Sequence, residues 1–340
     1  MTDLSLMQKT LHGLSDRLIS HKNNIIKKME ISMMSKTSIN TEVSFAGVKF
    51  KNPVVTASGT FGFGREYGGY YDLSELGGIC VKGLTLKPRA GNNPPRIAET
   101  PMGMLNSVGL QNPGVDVFIK DELPFLRSYD TVVIANISGN TIEEYALMTE
   151  KLSDAKIDII EVNVSCPNVK AGGMAFGTST DGVISVTEAV MKKAAVPVMI
   201  KLSPNVTDIA AMAKAAEASG ANAISLINTL VAMRIDTLTK KPVLNNNIGG
   251  LSGPAIFPVA VRMVWQAASA VKIPVLGMGG IQSGNDAVEM MLAGANLIAV
   301  GTACFDDPYA PVKIINEINT YMKNNAIDNI NQITGKVVLN

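Results

Sequence analysis

The sequence predicts a closed barrel of eight parallel strands, each followed by a helical segment. Eight short apolar runs alternate with segments of helical periodicity, and one strand–helix–strand module occurs twice near the C-terminus. The chain has 340 residues, of which 46% are hydrophobic, so it can bury the core of one large α/β domain. We therefore predict a (β/α)8 TIM barrel.

The apolar runs are interpreted as the barrel strands. They are apolar on both parities, which is typical of parallel strands that are covered on both faces. In chain order they are NPVVTASG, GGICVKGLT, DTVVIANISG, KIDIIEVNVSC, VPVMIKLSP, ANAISLINT, IPVLGMGGI and ANLIAVGTA. After the third run, Thr141 and Glu144 have the spacing of a capping box and predict the start of a helix.

The repeated module supports the barrel. VPVMIKLSP…SGANAISLINT recurs as IPVLGMGGI…AGANLIAVGT, and in each copy a glycine, Gly220 or Gly294, follows the helical segment. These glycines predict left-handed C-caps. A doubly wound sheet is the alternative, but the sequence has no GxGxxG motif after its first strand and no GxxxxGK motif.

The predicted catalytic domain covers residues 41–340 and begins with a short hairpin. TEVSFAGVKFKNP alternates polar and apolar residues, which predicts a hairpin that closes the bottom of the barrel. Residues 1–40 form an N-terminal extension, in which a helical spacing predicts a short amphipathic helix through Leu4, Met7, Leu11, Leu14 and Leu18. The alternative is a disordered extension from an upstream start codon, because Met29, Met33 and Met34 precede the first strand.

Composition limits the classes of function. Thirty basic and twenty-nine acidic residues give a net charge of +1, which does not indicate nucleic-acid binding. Three widely spaced cysteines without a CxxC motif argue against a disulfide framework or a metal site and favour a reducing cytoplasm. No apolar run is long enough to predict a membrane span. Both histidines precede residue 39, so proton transfer in the barrel needs another side chain.

Active sites of such barrels lie at the carboxyl ends of the strands. Lys82 and Lys201 lie there within apolar runs, where a buried ammonium group needs an anionic partner. That partner is either Glu161, in a structural ion pair, or an anionic ligand. Because two lysines occupy equivalent strand ends, the pattern favours a ligand.

Glycines and asparagines complete the predicted site. GMGGIQSG and GTACF follow the last two strands, where barrels commonly bind a phosphate, although each glycine pair also suits a tight turn. Carboxamides both donate and accept hydrogen bonds, so a group of them matches a planar heterocycle with N–H and C=O edges. The group comprises Asn106, Asn136, Asn163, Asn168 and Asn228.

Cys166 lies just after the fourth strand, in SCPNVKAGGMAFGTS. A free cysteine is commonly an inert buried thiol, and this interpretation also fits Cys80 and Cys304. Because an ordinary thiol has a pKa of about 8.5, Cys166 is also a candidate general base in a domain without histidine.

In these motifs the chain resembles the class 1 dihydroorotate dehydrogenases, FMN enzymes that make orotate in pyrimidine biosynthesis. The matching stretches occur in the family's order and include NPVVTASGTFG, VKGLTLKPRAGNNPPRIAET, GMLNSVGLQNPG, EVNVSCPNVKAGGMAFGT, IKLSPN, GGLSGPAI and GMGGI. A cysteine at position 166 resembles class 1, since class 2 has serine as the base. NVSCPNVKAGGMAFG resembles the NAD-linked 1B subgroup more than the fumarate-linked 1A subgroup.

The resemblance implies a role for each matching residue. One FMN per chain would be held by Ser58, Lys82, Gly83, Asn136, Asn163, Lys201, Ile227, Gly253, Gly279, Gly280, Gly301 and Thr302. Dihydroorotate would be held by Lys82, Asn106, Ser107, Val108, Gly109, Leu110, Asn163, Asn228 and Thr229. Cys166 would remove the C5 proton, and Lys201 would stabilise the reduced flavin.

The resemblance also implies a partner, because this chain has no cysteine cluster for an iron–sulfur centre. A separate electron-transfer subunit would carry FAD and a [2Fe–2S] cluster and pass electrons to NAD⁺, within a heterotetramer built on a homodimer of this chain. The alternatives are a fumarate-linked oxidase, another FMN-dependent dihydropyrimidine oxidoreductase, a phosphosugar isomerase or lyase with Lys201 as a Schiff-base lysine, and a non-catalytic binding module.

Overall fold

A computed structural model describes residues 39–165 and 176–340 of the chain. Its strands, in chain order, are β1 (Val43–Phe45), β2 (Val48–Phe50), β3 (Val54–Thr56), β4 (Gly78–Cys80), β5 (Ile97–Thr100), β6 (Gly103–Asn106), β7 (Val132–Ile137), β8 (Ile159–Asn163), β9 (Val198–Lys201), β10 (Ala223–Leu226), β11 (Leu230–Ala232), β12 (Ile235–Asp236), β13 (Lys241–Pro242), β14 (Gly249–Ser252), β15 (Val275–Met278) and β16 (Leu297–Val300).

Eight of these strands close into a parallel barrel in the order β3, β4, β7, β8, β9, β10, β15 and β16, with β16 paired to β3. Each strand lies within one of the eight apolar runs, so the predicted (β/α)8 barrel is confirmed. The barrel strands are buried almost throughout, as their two-sided apolar pattern predicts.

The helices lie between the strands and pack around the barrel. In chain order they are α1 (Val115–Val117), α2 (Leu123–Leu126), α3 (Ile142–Asp154), α4 (Thr180–Met191), α5 (Ile209–Ala218), α6 (Phe257–Ala268), α7 (Gly284–Leu292), α8 (Ala303–Asp306) and α9 (Ala310–Asn324). A single π-helical turn, Phe118–Glu122, joins α1 to α2.

Helix ends agree with the sequence in most details. Gly220 and Gly294 follow α5 and α7 with φ of +92° and +122°, which confirms the left-handed C-caps. Thr141 accepts a hydrogen bond from the Glu144 backbone N–H at 3.3 Å, as predicted. The Glu144 carboxylate, however, accepts from the Asn140 backbone N–H at 2.6 Å rather than from Thr141, so the capping box is only half formed.

In two places the connections between barrel strands differ from the single helix expected in a regular (β/α)8 barrel. Between β3 and β4 the structure has two 3-10 turns, Tyr67–Gly69 and Leu73–Glu75, instead of an α-helix. The long connections after β4 and β10 form an antiparallel sheet in the order β11, β14, β6 and β5. This sheet was not predicted, since its strands have only three or four residues and most of these are partly exposed.

The hairpin of β1 and β2 lies at the opposite end of the barrel. Phe45 and Phe50 are fully buried and pack edge to face, with ring centroids 6.0 Å apart. A Cβ atom built on Gly78, the first residue of β4, would lie 2.9 Å from the Phe50 ring. The hairpin therefore covers the amino ends of the strands, which confirms the predicted closure of the barrel bottom.

Residues 1–38 of the predicted N-terminal extension lie outside the described residues. The described chain begins beside its own C-terminal region, where Asn40 pairs with Asn329 as an isolated bridge. Within residues 39–165 and 176–340, no helix has the length and apolarity needed to cross a membrane.

Candidate active site

A cavity of about 940 Å³ lies at the carboxyl ends of the barrel strands, bordered by the antiparallel sheet. All the predicted site residues within the described chain line it: Ser58, Lys82, Gly83, Asn106, Ser107, Val108, Gly109, Leu110, Asn136, Asn163, Lys201, Ile227, Asn228, Thr229, Gly253, Gly279, Gly280, Gly301 and Thr302. Cys166 and Asn168 lie outside the described residues.

The charged side chains that line the cavity are cationic. They are Lys82, Arg96 and Lys201, and no aspartate or glutamate of the described chain accompanies them. Burial, with a further contribution from the Arg96 charge, lowers the pKa of Lys82. A cavity lined in this way favours anionic groups such as carboxylates and phosphates.

Lys82 and Lys201 have different partners. Lys201 is 4% exposed, and its Nζ lies 3.2 Å from Ser58 Oγ and 3.8 Å from Glu161 Oε2. Within the described residues, no carboxylate lies within 4 Å of Lys82. The ion pair with Glu161, one of the two alternatives from the sequence, is therefore present at Lys201. The ammonium group of Lys82 can bind an anionic ligand instead.

Glu161 anchors a polar network directly behind the cavity. Its carboxylate is 1% exposed and accepts hydrogen bonds from Asn136 Nδ2 at 2.6 Å, Ser225 Oγ at 2.6 Å and Cys80 Sγ at 3.2 Å. Burial and the Glu161 charge raise the pKa of the Cys80 thiol well above its ordinary value, so Cys80 stays protonated and donates. This thiol is structural, in agreement with the inert interpretation.

The asparagines divide their hydrogen-bonding groups between protein and cavity. Asn136 is fully buried, its Nδ2 donates to Glu161, and its Oδ1 has no partner among the described residues. Asn163 Oδ1 accepts from Ser165 Oγ at 2.7 Å and from Asn228 Nδ2 at 3.2 Å. These bonds fix the amide of Asn163 and leave its Nδ2 available to the cavity.

The glycines after β15 and β16 form a narrow part of the cavity wall. Gly279 and Gly280 have φ of +125° and +81°, and a Cβ atom on Gly280 would lie 2.8 Å from the Gly253 carbonyl oxygen. Gly301 differs, since its Cβ would meet nothing closer than Ala57 Cβ at 3.4 Å. The first pair is required by the turn itself, whereas Gly301 leaves open space beside the cavity.

Several cavity residues were not predicted from the sequence. Arg96 lies on the connection after β4, where no strand run marked it, and its Nη2 donates to Gln111 Oε1 at 2.5 Å. Ser165 lies just after the fourth apolar run and had no predicted role, yet it bonds both Asn163 and Asn228. Ser225, which donates to Glu161 behind the cavity and does not line it, could have been found, because a polar residue within the apolar run NAISLINT indicates an inward-facing partner.

Comparisons with known proteins agree with this arrangement. A profile of the family described as "Dihydroorotate dehydrogenase" matches residues 40–322. The chain is 58% identical over 299 residues to "Dihydroorotate dehydrogenase B (NAD(+)), catalytic subunit" of Thermoanaerobacter sp. (strain X514), which covers 88% of this chain and 99% of that protein. A protein of the same name from Geotalea uraniireducens (strain Rf4) is 51% identical over 306 residues, covering 90% of this chain and 100% of that protein.

A solved structure shares the fold. It is the DHODH of Eimeria tenella in complex with ferulenol, with a TM-score of 0.75 at 20% sequence identity, covering 88% of this chain and 89% of that one. The fold, the family profile and the relatives thus agree. The chain belongs to the dihydroorotate dehydrogenase family.

Proposed function

We propose that this chain oxidises dihydroorotate to orotate in pyrimidine biosynthesis, with FMN as its cofactor, and that the electrons pass through a partner subunit to NAD⁺. The observation that supports this most directly is the single cavity lined by every described residue that was predicted to bind flavin or substrate. Two enzyme relatives with more than 50% identity over nearly their whole length support the same reaction.

The residues present fit an FMN. Asn136 Oδ1 is a buried acceptor without a protein partner, which suits a ring N–H donor. Gly279, Gly280 and Gly301 bring backbone N–H groups close to the cavity without side chains, which suits a monophosphate. Apolar neighbours such as Ile227 suit the face of a planar ring.

The proposed cofactor shell is the set named from the sequence: Ser58, Lys82, Gly83, Asn136, Asn163, Lys201, Ile227, Gly253, Gly279, Gly280, Gly301 and Thr302. When bound, FMN accepts the hydride of the reaction. Lys201 supplies a buried positive charge at this site. Its ion pair with Glu161 gives no support to the Schiff-base alternative, which needs a neutral amine.

For the substrate we propose contacts from Lys82, the carboxamide groups and the segment 106–110. Dihydroorotate carries a carboxylate, and Lys82 and Arg96 are partly buried cations of the cavity with no carboxylate within 4 Å in the described chain. Ser165 accepts from Asn228 and donates to Asn163, so both amides are fixed and the Nδ2 of Asn163 can orient the ring. The remaining proposed contacts are Asn106, Ser107, Val108, Gly109, Leu110 and Thr229.

Cys166 is the proposed base that removes the C5 proton. It follows Ser165 directly in the chain, and Ser165 lines the cavity. No aspartate or glutamate of the described residues lines the cavity to compete for this role. A thiol with an ordinary pKa of about 8.5 is partly ionised at neutral pH, and the thiolate can take up the proton.

The partner is proposed from the relatives' names. Each is called a catalytic subunit with NAD(+) in its name, which points to a second subunit for electron transfer. We propose that the partner carries FAD and a [2Fe–2S] cluster and joins a homodimer of this chain in a cytoplasmic heterotetramer. The barrel would then be the domain of residues 41–340, with residues 1–40 as an extension.

An anaerobic absorbance experiment tests the reaction. The purified chain should show a flavin spectrum, release FMN on denaturation, and lose its visible flavin band when dihydroorotate is added without oxygen, with one orotate formed per flavin. Release of FAD or of no flavin would contradict the cofactor assignment. A flavin band that persists with dihydroorotate but bleaches with another dihydropyrimidine would contradict dihydroorotate as the substrate and support the other compound.

A further inference from the structure

Glu161 contacts two residues of the cavity wall, Asn136 and Lys201, although it does not line the cavity itself. It is 1% exposed at the centre of the barrel, on β8, and its Oε2 lies 3.8 Å from the Nζ of Lys201. Among the described residues Glu161 is the carboxylate that Lys201 approaches within 4 Å. The pair thus combines one cation that faces the cavity with one anion hidden behind it.

The barrel holds this anion in a fixed position. Cys80, Asn136 and Ser225, from three other strands, donate hydrogen bonds to its two oxygens. A buried carboxylate is costly unless its oxygens are satisfied, and here both are. The Asn136 bond also fixes that amide with Oδ1 on the side of the cavity, where it has no partner among the described residues.

Building on the proposed flavin function, we propose that Glu161 is the positioning residue that sets the reduction potential of the cofactor. Its charge offsets that of Lys201, so the reduced flavin, which is anionic, gains less from the lysine than it would otherwise. The pair therefore keeps the flavin a stronger reductant. A low potential suits an enzyme whose relatives are named for NAD(+) as acceptor.

The test is the FMN midpoint potential of Glu161→Gln in the purified protein. Glutamine has nearly the same shape and can still accept from Asn136, so the substitution removes mainly the charge. We expect reduced FMN to gain about tenfold or more in affinity relative to oxidised FMN, which is a shift of about +30 mV for a two-electron couple. A potential that is unchanged or lower would overturn the proposal.

Two companion variants separate charge from structure. Glu161→Asp keeps the negative charge and should leave the potential close to that of the wild type. Ser225→Ala removes one donor to Glu161 on a residue that does not line the cavity, and it should change the melting temperature but not the potential. A shift with Ser225→Ala as large as that with Glu161→Gln would mean that the effect is structural, and the proposal would fail.

A charge-balanced pair covers the case in which Glu161→Gln does not fold. Lys201→Gln leaves the glutamate unpaired and should lower the potential, while Lys201→Gln combined with Glu161→Gln should return it towards the wild-type value. Equal potentials in these two variants would overturn the role of Glu161. If the wild-type protein binds FMN and oxidises dihydroorotate, either negative result leaves the proposed function intact.

Discussion

Lys82 and Lys201 occupy equivalent strand ends, but their surroundings give them different tasks. Lys201 is paired with a buried carboxylate, whereas Lys82 is half-buried beside Arg96 and has no carboxylate within 4 Å in the described chain. A buried cation without a protein counter-ion is stabilised by an anionic ligand. We therefore propose that the substrate carboxylate binds beside Lys82.

We expect Lys82→Met to weaken orotate binding by about tenfold or more, the worth of a hydrogen bond to a charged group of about 1.5 kcal/mol. Burial and the Arg96 charge lower the pKa of Lys82 below the usual 10.5, so wild-type affinity should fall as pH rises through that lowered pKa. The variant should lack this alkaline fall. Titration of the flavin spectrum with orotate at several pH values measures both effects.

Stability provides an independent check on the same residue. A lysine whose pKa is lowered in the folded protein destabilises it below the pKa of the unfolded chain, so Lys82→Met should not lower the melting temperature of the ligand-free protein at neutral pH. Lys49→Met, on the exposed face of β2, is the matched control and should alter neither property. Equal orotate affinity in wild type and Lys82→Met would exclude Lys82 from the substrate site.

We expect Cys166→Ser to bind FMN normally but to lose about 10² to 10⁴ in turnover at neutral pH, because a serine hydroxyl is far less ionised there than a thiol. Its residual activity should rise with pH. Stopped-flow reduction of the flavin by dihydroorotate measures the step. Cys304→Ala is the control, since burial raises the pKa of that thiol to about 12 and excludes it as a base at neutral pH. Wild-type reduction rates in Cys166→Ser would place the base elsewhere.

The sequence predicted the residues that line the cavity wherever they lie at the end of a barrel strand. Lys82, Asn136 and Lys201 were found because a polar residue at the end of an apolar run is costly without a partner. Arg96 and Ser165 also line the cavity but were not predicted. They lie on connecting loops, where no hydrophobic periodicity predicts the course of the backbone. The orientation of each asparagine amide could not be predicted from the sequence, because it depends on hydrogen-bond partners from other strands.

At the scale of elements, Gly301 in the turn after β16 can be tested for two roles: leaving space for the FMN phosphate, or allowing the turn itself. A methyl group on Gly301 would meet only Ala57 at 3.4 Å and Thr60 at 3.9 Å, both of which line the cavity. We expect Gly301→Ala to keep the melting temperature of the apoprotein and to reduce FMN affinity by about tenfold or more, on the scale of one lost charge-assisted hydrogen bond. Fluorescence titration of the apoprotein with FMN measures the change.

Gly69→Ala is the matched control for that substitution. A Cβ atom at Gly69 would have no atom within 4 Å, and the residue lies in the 3-10 turn after β3, away from the cavity lining. FMN affinity should be unchanged there. If Gly301→Ala binds FMN as tightly as the wild type, the glycine serves the turn alone and the phosphate lies elsewhere.

The elements were predictable to different degrees. All eight barrel strands were found because each is buried on two faces and forms a continuous apolar run. The sheet of β11, β14, β6 and β5 was not, since four partly exposed residues carry too little alternation to detect. The absence of an α-helix between β3 and β4 was not predicted either, because the two 3-10 turns in its place have only three residues each.

At the scale of the whole molecule, the chain by itself has one proposed redox site. The described residues contain no cluster of histidine, cysteine, aspartate or glutamate suited to a metal ion. We expect the isolated chain to reduce artificial electron acceptors but not NAD⁺, and co-expression with its electron-transfer partner to restore NAD⁺ reduction. Steady-state assays with each acceptor measure this. Efficient fumarate reduction by the isolated chain would instead support the 1A alternative.

The N-terminal extension provides a second prediction at this scale. Every proposed site residue lies after β3, and the family profile begins at residue 40. We therefore expect deletion of residues 1–33 to leave FMN content and flavin reduction by dihydroorotate unchanged. The flavin-to-protein absorbance ratio measures the first. Loss of folded protein on truncation would show that the extension contributes to stability.

The cavity takes at least one residue from the end of each barrel strand, in a series that runs from Ser58 to Thr302. No fragment of the chain therefore contains a complete binding site, and the site exists only when the barrel is closed. A ligand that binds such a site stabilises the whole barrel by RT ln(1 + [L]/Kd), rather than one segment of it. Release of the proposed FMN should then coincide with global unfolding, so that its fluorescence would report the cooperative unfolding of this protein.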